Sequence, residues 1–205
     1  DLHAVPDIQL DFALGNYSNQ RMERFPVIKL GYYQLRPNSV GFVRARSADP
    51  LEPPVIQPNY LDDELDQRVA VAGVKALRRM LNTPELEPYN GGEELPGPSV
   101  TDDAGILNFA REVGLTAYHL CGTCRMGPPD DRAAVVDDQL RVRGLDGLRV
   151  VDASIMPYVP SANTSAAVFM IAEKAADMIL GRRPLPAEAI DTGEVDRPAV
   201  LAGAA

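Results

Sequence analysis

The sequence predicts an α+β fold, in which strands and helices occupy different parts of the chain. Short β-rich runs lie within residues 7–58, and two amphipathic helical patterns follow at 61–81 and 101–113. After residue 118 the chain carries a short apolar run, a turn and a third helical pattern, an order typical of α/β units. With 205 residues, 45% of them hydrophobic, the chain is long enough to bury a sizeable core.

Composition and charge argue against several classes of function. The net charge of −9 argues against nucleic-acid binding, which normally requires a basic face. No run of about 18 apolar residues is present, so we expect no membrane span. The chain begins at Asp1 without the pattern of a signal peptide, which favours a processed or trimmed chain and a cytoplasmic location. The two cysteines are too few for a disulfide framework.

The first part of the chain predicts an antiparallel sheet. Apolar residues alternate with more polar ones from Ile8 to Leu14, which is typical of a half-buried strand. Residues 27–36 and 40–46 are two further β-rich runs, and the turn-forming Pro37-Asn38-Ser39 between them predicts that they pair as a hairpin. Antiparallel strands of this kind have one face that can line a cavity.

A short extended segment is expected at Val55-Ile56, and a helix follows at 61–81. Acidic residues in its first turn and arginines in its last turn complement the helix dipole, and Pro84 stops it. The expected buried stripe of this helix comprises Leu65, Val69, Ala72, Ala76, Leu77 and Met80.

A segment rich in Pro, Gly and Glu at 82–100 predicts a surface loop, which could act as a lid over a site. Thr101 or Asp102 is then expected to cap a second helix, which stops at Gly114.

The region from Tyr118 to Leu180 organises the rest of the chain. His119 lies beside a turn flanked by glycine, and residues 120–132 are expected to be irregular. The run Leu148–Asp152 is short and apolar and ends in an acid, which predicts a buried parallel strand that leads into a turn.

Asn163, Thr164 or Ser165 is expected to cap a third helix that ends at Gly181. The expected buried face of this helix comprises Val168, Ile171, Ala172, Ala175, Met178 and Ile179. A strand, a turn and a helix N-terminus together form a natural anion or cofactor site, because free backbone N–H groups converge there.

His119 and Asn163 are the first candidates for chemistry, since two distant turns can present them at one point. Histidine titrates near neutrality and suits general-base work, although a loop histidine can equally hydrogen-bond the backbone. Asn163 can cap the helix and can also point its side chain into a ligand site. Asp152 either caps the turn that follows it or accepts hydrogen bonds in a cofactor pocket.

Cys121 and Cys124 have the C-x-x-C spacing of thiol redox enzymes and zinc sites. A single pair offers only two metal ligands, and the surrounding sequence does not open a thioredoxin-like unit. We therefore predict no metal site and interpret the pair as two half-buried residues in a tight turn, in preference to a functional dithiol.

Three motifs stand in order in this region: Tyr-His-x-x-Gly-Thr-Cys-Arg-Met-Gly at 118–127, Gly-Leu-Arg-Val-Val-Asp-Ala-Ser-Ile-Met-Pro at 147–157 and Asn-Thr-Ser-Ala-Ala at 163–167. Shorter pieces at 35–39, 46–50, 134–137 and 140–144 accompany them. Together they resemble the glucose–methanol–choline (GMC) family of flavoprotein oxidoreductases, over roughly residues 5–182. One departure is Leu120-Cys121, where the family commonly has Pro-Val.

The resemblance implies FAD as cofactor. No G-x-G-x-x-G occurs here, so the chain looks like the C-terminal portion of such an enzyme, with an N-terminal FAD-binding chain as its partner. By resemblance, His119 takes the substrate hydroxyl proton as hydride passes to flavin N5, and Asn163 binds the substrate oxygen. The positions that match flavin contacts are Asp152, Ala153, Asn163 and Thr164.

The resemblance also implies an α+β / α/β architecture with a domain division. Residues 1–129 would mainly form the substrate-binding domain, with its antiparallel sheet and helices. Residues 130–182 would form the final strand and helix of a Rossmann-like FAD-binding domain, and 183–205 an extended tail.

We therefore expect an FAD-dependent alcohol oxidase or dehydrogenase, similar to choline dehydrogenase, that is active only with its N-terminal part. A hydroxynitrile lyase of the same fold and a non-catalytic assembly fragment are the alternatives. Choline-like, aliphatic, aromatic and sugar alcohols all fit the sequence.

Overall fold

The computed structural model describes residues 6–15, 17–18, 21–22, 27–183, 185–186 and 188. Mixed helices and small antiparallel sheets confirm the predicted fold class, whereas the predicted tail at 183–205 lies almost entirely outside the described residues. None of the described helices is long and apolar enough to cross a membrane. The elements are β1 (Ile8–Leu14), β2 (Tyr17–Ser18), β3 (Arg21–Met22), β4 (Ile28–Gln34), β5 (Phe42–Arg44), β6 (Val55–Gln57), α1 (Glu64–Leu81), α2 (Asp103–Val113) and α3 (Ser165–Leu180), with short 3₁₀ turns at Glu87–Tyr89 and Ala153–Ile155.

β1, β4, β5 and β6 lie within or close to runs that the sequence predicts to be strands, whereas β2 and β3 lie where no strand is predicted. The pairing of the predicted strands also differs from the expectation. β1 pairs with β4 in antiparallel register, with Ile8 opposite Gln34 and Leu14 opposite Ile28. β5 pairs with β6, and β2 with β3. The predicted hairpin between 27–36 and 40–46 is therefore wrong, because each of these runs pairs with another strand.

Asp66 explains why the chain does not fold back at Pro37-Asn38-Ser39. This residue of α1 is 2% exposed, and its carboxylate accepts hydrogen bonds from the N–H groups of Asn38 at 2.9 Å and Ser39 at 2.7 Å. Gln34 Nε2 donates to the same carboxylate at 2.9 Å. A buried charge is stable only when donors surround it in this way. The connection is thus held on the helix, next to the end of β4.

β1 is more exposed than its alternating pattern predicts. Leu10, Phe12 and Leu14 lie on one face of the strand and are 44%, 63% and 74% exposed. α1 contacts this face of the sheet through Tyr32 and Gln34 of β4. The prediction of a half-buried strand is therefore wrong for this part of β1, because the contacts of α1 lie at the other end of the face.

α1 forms where the sequence predicts a helix and has Arg78 and Arg79 in its last turn as expected, but it begins at Glu64, with Asp63 as its cap, and not at residue 61. The buried residues are Asp66, Ala70, Val71, Gly73, Val74 and Leu77, so only Leu77 of the predicted stripe is buried. The cause is the contact with β4. The Tyr32 ring lies so close to Gly73 that a Cβ there would come within 2.2 Å of it, and the Tyr32 hydroxyl donates to the Ala70 carbonyl oxygen.

α2 confirms its predicted ends. The Asp102 carboxylate accepts a hydrogen bond from the Gly105 N–H at 2.7 Å, and the helix ends before Gly114. Ile106 is fully buried against Val71 and Val74 of α1, and we call these three residues the first cluster. The loop at 82–100 is joined to α1 by an ion pair between Arg78 and Glu93 at 2.8 Å.

A second cluster of buried residues lies in the part of the chain after 121. It comprises Val136, Leu140, Ile155, Met156, Ile171 and Ala175. α3 contributes the last two of these and ends at the left-handed Gly181, as predicted. Ala172 and Ile179, which we expected on its buried face, are exposed. Because this helix is apolar on most of its surface, the hydrophobic pattern does not select a face.

The strand predicted at Leu148–Asp152 does not form. Within it, only Arg149 makes a bridge, antiparallel to Arg141, and Asp152 is exposed rather than buried. A strand requires a continuous ladder with a neighbour, and the described residues supply isolated backbone bonds such as Val150 N–H to Leu140 O at 3.1 Å. The domain division near residue 129 stays a prediction.

Candidate active site

His119 lies in the irregular segment that follows α2 and is partly buried. Its neighbour Tyr118 adopts a φ of 60°, in the left-handed region, and the Tyr118 N–H donates to Thr116 Oγ1 at 3.0 Å. A non-glycine residue keeps such a backbone conformation only where its surroundings determine it. The backbone immediately before His119 is therefore held in one defined turn.

The turn after His119 is bound to the second cluster. The Cys124 N–H donates to the Ser154 carbonyl oxygen at 3.0 Å, and the Met126 N–H donates to that of Ile155 at 2.8 Å. Gly122 has a φ of 87°, which a side chain would disfavour. The loop that carries His119 is thus hydrogen-bonded to the 3₁₀ turn at Ala153–Ile155, which lies in the segment that leads to α3.

Asn163 stands immediately before α3 with an exposed side chain. Of the three capping candidates, Thr164 occupies the N-cap position, and its side chain makes no capping hydrogen bond. Asn163 Oδ1 instead accepts a hydrogen bond from the Tyr33 hydroxyl at 2.8 Å. The first-turn N–H groups of α3 consequently lack a side-chain cap.

Tyr33 of β4 contacts both predicted residues. Besides its hydrogen bond to Asn163, its ring meets the His119 imidazole edge to face, with centroids 5.1 Å apart and planes at 69°. Such an aromatic pair contributes about 0.5–1.5 kcal/mol beyond the area that it buries. We call Tyr33, His119 and Asn163 the site cluster.

The strand β4 fixes Tyr33 through its neighbours. Tyr32 and Gln34 point to the opposite face, where they contact Ala70 and Asp66 of α1. Alternation along the strand therefore directs Tyr33 away from α1 and towards His119. Sequence reasoning missed Tyr33, because the strand pattern shows that adjacent tyrosines face opposite ways but not which of them meets a distant loop.

The phenol of Tyr33 is a hydrogen-bond donor at neutral pH. Burial raises its pKa, the carboxylate of Asp11 on the same face of the sheet raises it further, and the hydrogen bond with Asn163 acts in the opposite direction. The net effect is a raised pKa, so the hydroxyl keeps its proton.

The other residues predicted to contact the flavin are Asp152, Ala153 and Thr164, which lie in the 3₁₀ turn and at the start of α3. Asp152 caps the 3₁₀ turn, one of its two predicted roles, and its carboxylate accepts hydrogen bonds from the N–H and hydroxyl of Ser154. Ala153 packs partly buried on the second cluster. Thr164 is 8% exposed.

Cys121 and Cys124 are both partly buried free thiols in the turn that the Arg125 N–H closes onto the Gly122 carbonyl oxygen at 3.3 Å. Burial raises the pKa of the Cys121 thiol. Among the described residues, no group of three or more His, Cys, Asp or Glu side chains could hold a metal ion. The turn fits the structural interpretation of the pair.

Comparison with known families gives a match over most of the chain. Residues 37–172 match the C-terminal family model described as GMC oxidoreductase. The chain belongs to the GMC oxidoreductase family. This finding confirms the resemblance inferred from the motifs, and proteins of the GMC family are FAD flavoproteins.

Individual relatives agree with this assignment. An oxygen-dependent choline dehydrogenase of Staphylococcus saprophyticus is 45% identical over 75% of this chain and 28% of its own length. Pyridoxine 4-oxidase from Mesorbium loti has a TM-score of 0.75 at 31% identity, over 87% of this chain and 35% of that one. A formate oxidase of Aspergillus oryzae, studied for its FAD modification, has a TM-score of 0.72 at 26% identity, over 86% of this chain and 32% of that one. The chain thus spans about a third or less of each GMC relative named.

Proposed function

We propose that this chain is the C-terminal part of an FAD-dependent enzyme that oxidises an alcohol to a carbonyl compound. The observation that carries the proposal is the contact of Tyr33 with both His119 and Asn163. Because both His119 and Asn163 contact Tyr33, the imidazole and the carboxamide belong to one site. The imidazole supplies a base and the carboxamide a neutral group that binds oxygen, and alcohol oxidation uses both. The names of two relatives, for choline and for pyridoxine, support an alcohol as substrate.

His119 accepts the proton of the substrate hydroxyl. Neutral imidazole has one nitrogen with a free lone pair, and removal of the hydroxyl proton raises electron density at the carbon that carries the oxygen. The bond from that carbon to its hydrogen is thereby weakened. The edge-to-face contact between the Tyr33 ring and the imidazole restricts rotation of the imidazole and so keeps the base in one orientation.

Asn163 holds the substrate oxygen. Its Oδ1 accepts a hydrogen bond from the Tyr33 hydroxyl, so the amide N–H groups are the end of the side chain that can donate to a substrate. An amide is neutral and does not compete for the proton, yet it can donate to an oxygen on which negative charge develops. This division of roles leaves proton transfer to His119.

The start of α3 fits a flavin. FAD, when bound, supplies the hydride acceptor. The first turn of α3 has no side-chain cap, and its N–H groups can donate to an electron-rich acceptor. Asn163 and Thr164 lie at this turn. The 3₁₀ turn that Asp152 caps packs through Ala153 on the second cluster, to which α3 also contributes. We therefore assign Asp152, Ala153, Asn163 and Thr164 to contact with the flavin.

An N-terminal part of the same enzyme supplies the rest of the flavin site. The side chains of Phe169 and Met170 on α3 are 71% and 57% exposed, although large apolar side chains are usually buried. We assign this face to contact with the FAD-binding part, in keeping with the share of each relative that the chain covers.

The test is anaerobic mixing of the flavin-loaded enzyme, in which this chain forms the C-terminal part, with choline, an aromatic alcohol and pyridoxine. We expect at least one alcohol to bleach the oxidised flavin, and His119→Ala to slow the bleaching. Failure of every alcohol would contradict the proposal. Release of cyanide from a cyanohydrin without bleaching would indicate a lyase instead.

A further inference from the structure

We infer that Tyr33 is a positioning residue that orients the Asn163 amide so that its N–H groups, and not its carbonyl oxygen, face the substrate. The inference rests on the proposed function, because it takes Asn163 to be the group that binds the substrate oxygen. It adds a residue from the sheet, 130 positions away in sequence, to a site otherwise built from loops.

The two ends of the Asn163 amide differ in what they offer. Oδ1 only accepts hydrogen bonds, and Nδ2 only donates them. With the Tyr33 hydroxyl donating to Oδ1 at 2.8 Å, the Nδ2 end is left for the substrate. Rotation of the amide by half a turn would present an acceptor to the substrate oxygen, and two electron-rich oxygens repel each other as the hydroxyl loses its proton.

The structure makes Tyr33 rigid enough to impose this choice. β4 is paired with β1 along its whole length, with Tyr33 opposite Gln9. On the other face, Tyr32 and Gln34 are hydrogen-bonded to α1. The contact of the Tyr33 ring with His119 keeps the hydroxyl beside Asn163 Oδ1, and the raised pKa of the phenol keeps the proton that it donates there.

The ring and the hydroxyl of Tyr33 act on different partners. The ring meets the imidazole of His119, whereas only the hydroxyl reaches Asn163. Tyr33→Phe thus removes the orienting hydrogen bond and leaves the aromatic contact with His119. Tyr32→Phe is the matched control, since it removes the neighbouring hydroxyl, whose partner is the Ala70 carbonyl oxygen on the opposite face.

The first experiment measures the rate constant of anaerobic flavin reduction by an alcohol that bleaches the wild-type enzyme. We expect Tyr33→Phe to lower it by about tenfold, the effect of one well-placed hydrogen bond, with the flavin content unchanged. Tyr32→Phe should reduce the flavin at the wild-type rate. Equal rates for wild type and Tyr33→Phe, or an equal loss in both variants, would overturn the inference.

The second experiment combines Tyr33→Phe with Asn163→Ala. Because alanine has no Oδ1 to orient, we expect Tyr33→Phe to cause no further loss in that background. A full additional loss would show that Tyr33 acts independently of Asn163 and would overturn the inference. If Asn163→Ala alone reduces flavin as fast as wild type, the assigned role of Asn163 fails, and the inference fails with it.

A third readout does not depend on turnover. In neutron crystal structures of the enzyme, in which the hydrogen isotopes distinguish Nδ2 from Oδ1, we expect the Asn163 amide to adopt one orientation in the wild type and in Tyr32→Phe. In Tyr33→Phe it should rotate or adopt more than one. An unchanged orientation of the Asn163 amide in Tyr33→Phe would contradict the positioning role directly.

Discussion

Helices α1 and α2 differ from α3 in how their first turns and their faces are completed. Asp63 caps α1 and Asp102 caps α2, and each carboxylate accepts a hydrogen bond from the first turn of its helix at 2.7 Å. Thr164 occupies the same position before α3 but its side chain makes no such bond, and the helix exposes Phe169 and Met170. The first two helices are completed by residues of the chain itself. Among the described residues, the third has no side-chain cap and keeps large apolar side chains exposed.

This difference separates the elements that build the scaffold from those that form the site. The carboxylates of Asp66 and of the two capping aspartates accept hydrogen bonds from backbone N–H groups of the same chain, and that of Asp66 also accepts one from the Gln34 side chain. The cluster of Tyr33, His119 and Asn163 instead keeps an imidazole and the amide N–H groups available. We therefore expect variants of the scaffold to change stability, and variants of the site cluster to change the reaction.

The largest effect should come from His119, on the site side of the comparison. We expect His119→Ala to lower the rate of flavin reduction by an alcohol by about 10³-fold, because the general base is lost. His119→Gln is the control, since glutamine can hydrogen-bond but cannot take the proton, and it should be equally slow. If glutamine restored the rate, hydrogen bonding rather than proton transfer would be the role of His119.

On the scaffold side, Asp66→Ala should cost about 3 kcal/mol of the free energy of unfolding, because the N–H groups of Asn38 and Ser39 lose their buried acceptor. Burial alone would raise the pKa of Asp66, but the hydrogen bonds from Asn38, Ser39 and Gln34 outweigh it, and the pKa is lowered. A carboxyl with a lowered folded-state pKa contributes stability above its unfolded value of about 4 and loses it as the pH falls through the folded value.

Urea unfolding of the wild type and of Asp66→Asn between neutral pH and about pH 3 measures this contribution. The gap in stability between them should narrow as the pH falls below about 4, since asparagine does not titrate. A gap that is constant with pH would show that the charge of Asp66 contributes nothing.

A smaller effect compares the helix caps directly. Asp102→Ala should cost about 1 kcal/mol, because the Gly105 N–H loses its acceptor. Thr164→Val should cost less, because Thr164 makes no capping hydrogen bond. Urea unfolding of the two variants measures both costs. An equal loss from both would remove the distinction between capped and uncapped helices.

The smallest effect is expected at Cys121. Burial raises the pKa of this thiol, so it stays protonated and unreactive at neutral pH. Cys121→Ser should therefore reduce its flavin with an alcohol at the wild-type rate. If the rate of flavin reduction fell as far in Cys121→Ser as in His119→Ala, the C-x-x-C turn would have a chemical role.

The sequence predicts local features of this fold better than contacts between distant segments. The end of α1 and both ends of α2 were predictable, because residues such as Asp102 and Gly114 act on their own helix. The pairing of β4 and the buried face of α1 were not, because they depend on Asp66 meeting residues 38–39 and on the Tyr32 ring meeting Gly73.

The candidate site divides in the same way. His119 and Asn163 were named from motifs whose spacing resembles the GMC family, which is a property of the linear sequence. Their contact with Tyr33 joins segments far apart in the chain, and no local pattern marks it. The absence of a strand at 148–152 has a similar origin, since strand formation depends on a neighbour and not only on apolar residues.

The most direct measurement is a crystal structure of the flavin-loaded enzyme with a bound alcohol or an unreactive alcohol analogue. We expect its hydroxyl oxygen to lie within about 3.2 Å of both an imidazole nitrogen of His119 and the amide nitrogen of Asn163. An oxygen that is in hydrogen-bond reach of neither side chain, or of only one of them, would contradict the joint role of the two residues.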